Sequence, residues 1–412
     1  MPNPLIWAGN VVAPPRLGRD FRYLLSSSVV NNTGDGIVLA AGPLLVASQT
    51  RDPFVVSLAL LFDYLPILIF GVIAGVVADR FDRRRIVILA NVGRAAVLAL
   101  LVMTIASGTV NIVLVLAAIF LLGTAETFAD SASSTLLPRM VRREDLGIGN
   151  ARMQGAFILL NQLVAPPLGA FLFAAGMALP FAANAAAFLL GAVLISRISS
   201  SVGVLARDTS EGRTSFWNEL KEGVRWLATH PAMRTLALTI MAFNVTYGAA
   251  WGVLVLYAGE QLRMDAVGFG LLTTAAAVGG IIGTTSYGAL ERRFTLANIM
   301  RVGLLIETGT HLALAVTTSP EIALLVMVVF GAHAFVWGTT ATVIRQRAVP
   351  NELMGRVGGI YRVAVFGGLV VGVPLGGVLA TVFGITAPFW FGFVGSAILV
   401  ILLWRQFAHI AH

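Results

Sequence analysis

The chain has no cysteine, a single lysine and few charged residues of either sign. Without cysteine, disulfides, thiolate metal sites and cysteine nucleophiles are all excluded. The one lysine, Lys221, precedes Glu222, so the Gly-Lys-Ser/Thr end of a phosphate-binding loop is missing and direct ATP drive is not expected. The His-Glu-x-x-His and Gly-x-Ser-x-Gly patterns are missing as well. We therefore expect neither an enzyme nor a cofactor.

Apolar residues make up 57% of the chain and charged residues only 12%, whereas about a quarter of a soluble domain is charged. Many apolar stretches have the length of a membrane span, about 20 residues. No polar block is long enough to build a separate soluble core. The net charge of +8 is explained by membrane topology, because Lys and Arg collect in cytoplasmic loops. We do not expect a nucleic-acid partner.

The apolar pattern predicts twelve spans in two sets of six. The predicted spans are 22–47, 54–78, 85–107, 110–136, 148–175, 178–198, 233–260, 267–290, 296–318, 321–345, 354–382 and 386–406. The predicted domains are a tail (1–21), a six-helix bundle (22–198), a linker with an amphipathic helix (199–232), a second bundle (233–406) and a tail (407–412). The predicted fold class is an all-α polytopic membrane protein with two pseudo-symmetric six-helix bundles around a central cavity.

Arginine is distributed unequally between the two sides of these spans. The loops of one side hold nearly all of it, whereas the opposite loops hold only Arg51 and Arg263. Both termini are therefore predicted to be cytoplasmic. The first twenty residues lack the order of a cleavable signal, so the first span is expected to act as an uncleaved anchor. The expected location is the inner (cytoplasmic) membrane, and the scarcity of Lys and Cys favours a bacterial source with a GC-rich genome.

The two halves repeat. A shift of 208 residues superposes Gly71 and Gly75 on Gly279 and Gly283, and it superposes Arg84 on Arg292. Parallel six-helix repeats are typical of secondary transporters that rock one half against the other. A channel or a membrane enzyme does not need this duplication.

The stretch "GVVADRFDRRR" (75–85) resembles the signature between helices 2 and 3 of the major facilitator superfamily, Gly-x-x-x-Asp-Arg-x-Gly-Arg-Arg/Lys. Asp82 occupies the position of the second glycine in this signature. The other signature positions are occupied by Gly75, Asp79, Arg80, Arg83 and Arg84. The resemblance implies that Asp79 contacts the start of helix 11, near 355–359, and closes the cytoplasmic side. In the second half Tyr287 occupies the Asp position, so this latch is expected to be one-sided.

Further motifs resemble one branch of that superfamily. "LNQLVAPPLGA" in helix 5 is similar to the antiporter element Gly-Pro-x-x-Gly-Gly, although Ala165 and Ala170 replace two glycines. "NTGDG" (32–36), "LLPRMV" (136–141) and "RQRAVPNELMGRVGG" (345–359) are similar to drug:proton antiporters, a branch that includes macrolide, siderophore and lysophospholipid exporters.

Ionisable side chains inside the spans are costly and usually face a cavity or a partner. Asp35 is the first candidate for carrying a proton and Glu126 the second. The alternative for Asp35 is a permanent hydrogen bond to Asn31, Asn32 or a neighbouring helix. Glu126 and Asp130 lie four residues apart, and two close carboxylates favour one retained proton. Asp130 has the alternative of pairing with Arg152 or Arg80 as a gate or brace. Arg94 needs an anion, with Asp35 and Glu126 as candidates, and a fixed ion pair is the simpler interpretation.

The remaining candidates are spread over both halves. Asp63 lies deep in helix 2 and is a further coupling candidate. Glu307 and His311 form an i, i+4 pair in helix 9, either as a coupling element or as an isolated hydrogen-bonded pair. His333 and Trp337 in helix 10 either line the cavity or pack. The complete set of cavity candidates is Asn31, Asn32, Arg94, His311, His333, Trp337, Asn244 and Tyr247.

The function expected from these features is proton-coupled export of hydrophobic or amphipathic small molecules by alternating access. A lysophospholipid or siderophore carrier is the alternative within transport, and a non-transporting membrane scaffold or sensor is the alternative outside it. Membrane lipids and protons are the other expected partners, and we expect a monomer without a metal site.

Overall fold

The structure, a computed structural model, describes residues 14–199, 216–350 and 353–407. Within these ranges the chain is helical and has no β-strand. Much of the predicted linker (200–215) lies outside the described residues, as do most of the N-terminal tail (1–13) and the C-terminal end (408–412).

The first half contains six long helices. Their bounds are α1 Gly18–Gln49, α2 Pro53–Arg80, α3 Arg83–Ala106, α4 Ile112–Ser133, α5 in three parts (Leu146–Ala156, Phe157–Val164 and Ala165–Ala175) and α6 Leu179–Ser196. Most edges lie within a few residues of the predicted ones, although α1 begins four residues earlier.

The second half repeats this arrangement after a linker helix, Phe216–Thr229. The bounds are α7 in two parts (Pro231–Trp251 and Leu254–Glu260), α8 Ala266–Arg293, α9 Leu296–Val316, α10 Pro320–Ala348, α11 Met354–Phe383 and α12 Ala387–Leu403. The linker helix packs on the second half, where Trp226 and Leu227 join its apolar core and Glu222 pairs with Arg356 at 2.5 Å.

The described helices include ten that are long and apolar enough to cross a membrane. The two parts of α7, which meet at a bend of 41°, make an eleventh span. The apolar α12, 17 residues long, is the twelfth. The predicted all-α polytopic fold with twelve membrane helices is confirmed.

The helices form two compact units. Of the described residues, 14–49 and 65–199 belong to the N-terminal unit, and 50–64 with those from 216 onward belong to the C-terminal unit. Helix α2 therefore contributes to both. The domain boundaries drawn from the sequence remain a prediction.

Glycines bring α1 and α5 into close contact in the N-terminal unit. A Cβ atom on Gly36 would lie 2.6 Å from the carbonyl oxygen of Asn161, and one on Gly169 would collide with the carbonyl of Ile37. Close backbone approach through small residues is the usual way for helices to pack in lipid. The middle part of α5 is a π-helix, which ends where Pro166 and Pro167 deprive the chain of two N–H donors.

The C-terminal unit uses equivalent contacts between α7 and α11. Cβ atoms on Gly372 and Gly376 would collide with the carbonyl oxygens of Val245 and Ala249. These glycines belong to "GVPLGG", the counterpart of the α5 motif, so the two motifs serve the same packing purpose in each half.

Helices α2 and α8 are equivalent in the repeat, but they are packed differently. Gly279 and Gly283 of α8 fit against the backbone of α10, but nothing lies within 4 Å of a Cβ added at the matching Gly75. Correspondingly, 44% of the apolar window of α8 is buried and only 11% of that of α2. The sequence repeat of these glycines therefore does not predict equal packing.

Candidate functional site

An ion cluster lies inside the N-terminal unit, where α1, α3 and α4 each contribute one charged side chain. The Arg94 guanidinium of α3 is buried, and its Nη2 lies 2.9 Å from Asp35 Oδ1 and 3.2 Å from Glu126 Oε2. Arg94 also lies over the ring of Phe188 in α6, 3.9 Å from the ring centroid. We call Arg94, Asp35 and Glu126 the Arg94 cluster. Both carboxylates that the sequence offered as partners contact this one arginine.

Two amides lie one helical turn from the cluster, on α1 and α3. Asn31 Nδ2 donates to Asn91 Oδ1 at 3.4 Å, and Asn91 lies one turn before Arg94 on the same face of α3. Ser27 donates to the carbonyl oxygen of Gly191 at 3.1 Å. Asn31 thus faces the interface of α1 with α3 and α6. Sequence reasoning missed Asn91 and Phe188, although the spacing of Asn91 to Arg94 was a usable signal for the former.

Exposure distinguishes the two carboxylates. The side chain of Asp35 is 23% exposed and that of Glu126 is 46% exposed, whereas that of Arg94 is 6% exposed. One guanidinium faces two carboxylates, so the cluster has one net negative charge when both are ionised and none when one holds a proton. An open carboxylate at bilayer depth beside a buried cation is equipped to exchange a proton or to hold a cationic ligand.

A polar cavity of about 580 Å³ lies near the cluster in the same unit. Asp130, one turn along α4 from Glu126, is on its wall, and so is Asn32, whose amide donates to the carbonyl oxygen of Ser28 at 2.7 Å. The lining residues are Ser28, Asn32, Asp130, Ser133, Asn150, Ala151, Met153, Gln154 and Phe157. Hydroxyl, amide and carboxylate groups with two larger apolar side chains suit an amphipathic ligand.

The C-terminal unit has its own buried cluster of ionisable groups. Glu307 Oε2 lies 3.1 Å from His333 Nε2, with which it is hydrogen-bonded, and Oε1 lies 3.1 Å from His311 Nε2 without hydrogen-bond geometry. The three side chains are at most 1% exposed. We call them the Glu307 cluster. The sequence anticipated the Glu307–His311 pair but not the participation of His333 from α10.

Aromatic rings enclose the Glu307 cluster. Trp251 meets His311 edge to face at 6.2 Å, and Phe330 and Phe243 each lie 6.2 Å from His333. Trp337 is 3% exposed and stacks on Phe243. His311, His333 and Trp337, offered as cavity residues by the sequence, are therefore placed in the interior of the C-terminal unit.

The other candidates occupy different surroundings. Tyr247 is half-buried and stacks on Trp251, with ring centroids 4.4 Å apart. Asn244 is buried where α7 meets Gly368 of α11. Asp63 is exposed on α2. Asn244 and Tyr247 thus contribute to the packing of α7.

The signature loop between α2 and α3 caps helix ends. Arg83 Nε donates to the carbonyl oxygen of Ala78 at 3.0 Å, and Arg84 donates to the carbonyls of Ile195 and Ser196 at the end of α6. Cations at helix C-termini satisfy the last carbonyls and oppose the negative end of the dipole. Asp79, 73% exposed at its side chain, lies 3.3 Å from Arg83.

Asp82, the departure from the signature, has a local explanation. Its carboxylate accepts the backbone N–H of Arg84 at 2.9 Å and of Arg85 at 3.3 Å, so it is the N-cap of α3. A glycine at this position would offer no side-chain acceptor. Of the other signature residues, Arg80 is exposed and Gly75 is half-buried.

Comparison with known sequences gives a match over nearly the whole chain. The family model of the major facilitator superfamily described as transmembrane secretion effector matches residues 11–408. The multidrug efflux pump Tap of Mycolicibacterium fortuitum is 26% identical over 379 residues, covering 89% of this chain and 90% of the pump. The uncharacterized MFS-type transporter YfiS of Bacillus subtilis is 25% identical over 383 residues, covering 89% of this chain and 88% of that protein.

Solved structures show the same fold at low sequence identity. A bacterial homologue of the iron transporter ferroportin in an inward-facing state has a TM-score of 0.75 at 17% identity, covering 94% of this chain and 98% of that one. The nucleoside transporter NupG has a TM-score of 0.71 at 12% identity, covering 95% and 99%. The resemblance proposed from the sequence is confirmed. The chain belongs to the transmembrane secretion effector family of the major facilitator superfamily and is a multi-pass membrane transporter of small molecules, not an enzyme.

Proposed function

We propose that this transporter is a proton-coupled exporter of hydrophobic or amphipathic small molecules, located in the inner membrane with both termini cytoplasmic. The observation that carries the proposal is the Arg94 cluster, in which one buried cation holds two partly open carboxylates. The similarity to a multidrug efflux pump supports the substrate class and the direction of transport. The arginine asymmetry of the loops supports the orientation.

The cluster couples charge to burial. With both carboxylates ionised it has a net negative charge, which is expensive to enclose in a low-dielectric interior. A proton on one carboxylate makes the cluster neutral and weakens the contact of that carboxylate with Arg94. The neutral cluster is then the form that the unit encloses as the transporter changes state, and the ionised cluster is the form that remains open to water or to a cationic substrate.

We place Glu126 ahead of Asp35 as the proton carrier, which reverses the order expected from the sequence. Glu126 is twice as exposed as Asp35, and its contact with Arg94 is longer, at 3.2 Å against 2.9 Å. A more open carboxylate with a weaker ion pair gains and loses a proton with less rearrangement. Asp35 then keeps Arg94 in place throughout the cycle.

The polar cavity is the proposed binding region for the substrate. Its wall carries Asp130, four residues after Glu126, so a bound cation and a bound proton would compete for closely spaced carboxylates. Release of substrate and entry of a proton would exclude each other, as an exchange mechanism requires. Met153 and Phe157 supply the apolar contacts.

Efflux driven by an imposed pH gradient tests the proposal. Membrane vesicles with wild-type protein, Glu126→Gln or Asp35→Asn are loaded with a fluorescent cationic dye, and Glu260→Gln, an exposed carboxylate of the C-terminal unit, is the matched control. We expect Glu126→Gln to abolish the response to the gradient, Asp35→Asn to reduce it strongly and Glu260→Gln to leave it unchanged. Unchanged efflux in both cluster variants would overturn the mechanism.

A further inference from the structure

A groove runs along the C-terminal unit between α8 and α9, with α10 as its floor. Its volume is about 450 Å³. Its rim is apolar and exposed, as shown by Ile282, Val302 and Phe294, each at least half exposed. Its walls include Ser286 and Leu290 of α8 and Asn298 of α9, and its floor includes His333 and Trp337 of α10. An exposed apolar groove on a membrane helix bundle is suited to a hydrocarbon chain.

Two side chains of the floor have polar atoms that lack partners. Among the described residues, no hydrogen bond reaches Trp337 Nε1 or His333 Nδ1. Both residues are buried, so water does not readily satisfy these atoms. Gly303 lets α9 pack directly on both side chains, because a Cβ atom there would lie 2.9 Å from the Trp337 ring and 3.1 Å from His333 Nδ1. Buried polar atoms without partners are rare, so the floor of this apolar groove is unusual.

Basic residues lie at one end of the groove. Arg293 follows Ser286 and Leu290 at helical spacing and therefore continues the groove face of α8, with Arg292 beside it. Both are exposed, and within the described part of the chain neither forms an ion pair, since Glu291 pairs with Arg347 at 3.0 Å. Arg301 of α9 donates to Asn298 of the groove wall at 3.4 Å. This end of the groove is cationic and, by the arginine distribution, cytoplasmic.

We propose that the groove binds one anionic phospholipid of the cytoplasmic leaflet. The acyl chain lies along the apolar walls from Phe294 towards Ile282, a length of about 18 Å at the helical rise of α8. The phosphate headgroup lies at Arg292 and Arg293, as in other basic sites at the cytoplasmic ends of membrane helices. The glycerol ester oxygens lie between the phosphate and the start of the acyl chain.

Lipid in this groove would reach the Glu307 cluster. His333 lines the groove and is hydrogen-bonded to Glu307 within the same unit. A bound lipid would therefore cover the outer side of the floor that holds this cluster. The proposal does not depend on proton coupling, because the groove and the Arg94 cluster belong to different units.

Native mass spectrometry of delipidated, detergent-solubilised protein tests the site. The protein is titrated with phosphatidylglycerol and, separately, with phosphatidylcholine of the same chains. We expect one phosphatidylglycerol to remain bound at collision energies that strip phosphatidylcholine, with an affinity at least tenfold higher, and we expect it to raise the melting temperature. Equal retention of the two lipids would overturn the anionic assignment.

Matched variants locate the bound lipid. Val302→Trp and Ser286→Trp fill the groove, and Leu305→Trp adds the same ring to α9 at an exposed position outside it. Arg292→Gln/Arg293→Gln removes the cationic end, and Arg142→Gln/Arg143→Gln removes two exposed arginines of the N-terminal unit. We expect at least tenfold weaker phosphatidylglycerol binding in the groove and Arg292/Arg293 variants only. Wild-type binding of phosphatidylglycerol in either groove variant would contradict the site, and so would an equal loss in the control variants. The site would also be contradicted if the transported dye displaced phosphatidylglycerol and phosphatidylcholine equally.

Discussion

The two halves of the transporter each contain a cluster of ionisable side chains, and the two clusters are built in opposite ways. In the N-terminal unit one arginine holds two carboxylates that are 23% and 46% exposed. In the C-terminal unit one carboxylate lies between two histidines, and all three side chains are closed off. A group that exchanges protons with water must reach water. The comparison therefore supports the proposal that the Arg94 cluster, rather than the Glu307 cluster, carries the coupled proton.

The largest effect is expected from Arg94→Gln, which leaves Asp35 and Glu126 without their cation. Removing one partner of a buried ion pair costs about 3–5 kcal/mol, and less here because Glu126 is partly open. We expect a clear fall in the melting temperature and complete loss of efflux. The triple variant Asp35→Asn/Arg94→Gln/Glu126→Gln should recover the melting temperature without recovering transport. If that neutral variant has the same lowered melting temperature as Arg94→Gln, charge imbalance is not the cause of the instability.

Glu307→Gln tests the structural role of the second cluster. The substitution weakens the hydrogen bond to His333, and a buried hydrogen bond to a charged group contributes about 1.5–3 kcal/mol. We expect a lower melting temperature, while the folded protein keeps its response to a pH gradient. Thermal unfolding and vesicle efflux of the same preparations measure both, with Glu260→Gln as the exposed control. If Glu307→Gln has normal stability but no longer responds to the pH gradient, the proton-carrying group lies in the C-terminal unit instead.

Helix packing offers a milder comparison of the halves, because Gly75 and Gly283 are equivalent in the repeat. A Cβ atom at Gly283 collides with the carbonyl of Ala332, whereas the position at Gly75 is open. Gly283→Ala should lose about 1–3 kcal/mol through overpacking, and Gly75→Ala should be neutral or slightly stabilising. Melting temperatures in detergent check both. Equal effects of the two substitutions would show that the packing difference between α2 and α8 does not persist in solution.

Asp79→Asn should have the smallest effect on stability, below about 1 kcal/mol, since the Asp79 carboxylate that pairs with Arg83 is 73% exposed. By its place in the superfamily signature, we predict instead a bias towards the inward-open state. The chain is free of cysteine, so a single cysteine introduced at Ser133, on the cavity wall, reports cytoplasmic access through its labelling rate. Faster labelling is expected in Asp79→Asn than in the exposed control Glu144→Gln. Equal rates would refute the latch.

The sequence predicted the fold well because apolar length and arginine asymmetry act locally along the chain. It also identified Asp35 and Glu126 as partners for Arg94, because a cation at bilayer depth requires an anion and few are available. The Glu307–His311 pair was found by a different argument, from its i, i+4 spacing along one helix.

Contacts between distant helices were harder to predict. His333 joins Glu307 across α9 and α10, and nothing in the local pattern distinguishes this from a cavity-lining histidine. The exposure of each carboxylate, which decides between coupling and structure, depends on which helices cover it. The π-helix of α5 was also missed, although Pro166 and Pro167 marked its end. The repeat of Gly75 and Gly283 was found in the sequence, but their unequal packing was not.

The proton stoichiometry of the wild type and of Glu126→Gln tests the central claim most directly. In proteoliposomes with opposed substrate and pH gradients, the substrate gradient at which net flux vanishes is measured as the pH gradient is varied. We predict that this balance point shifts with the pH gradient in the wild type and in Glu307→Gln. In Glu126→Gln the balance point should stay at equal substrate concentrations on the two sides of the membrane, and the exchange of substrate across the membrane should be preserved. A balance point in Glu126→Gln that still follows the pH gradient would contradict proton transfer through the Arg94 cluster.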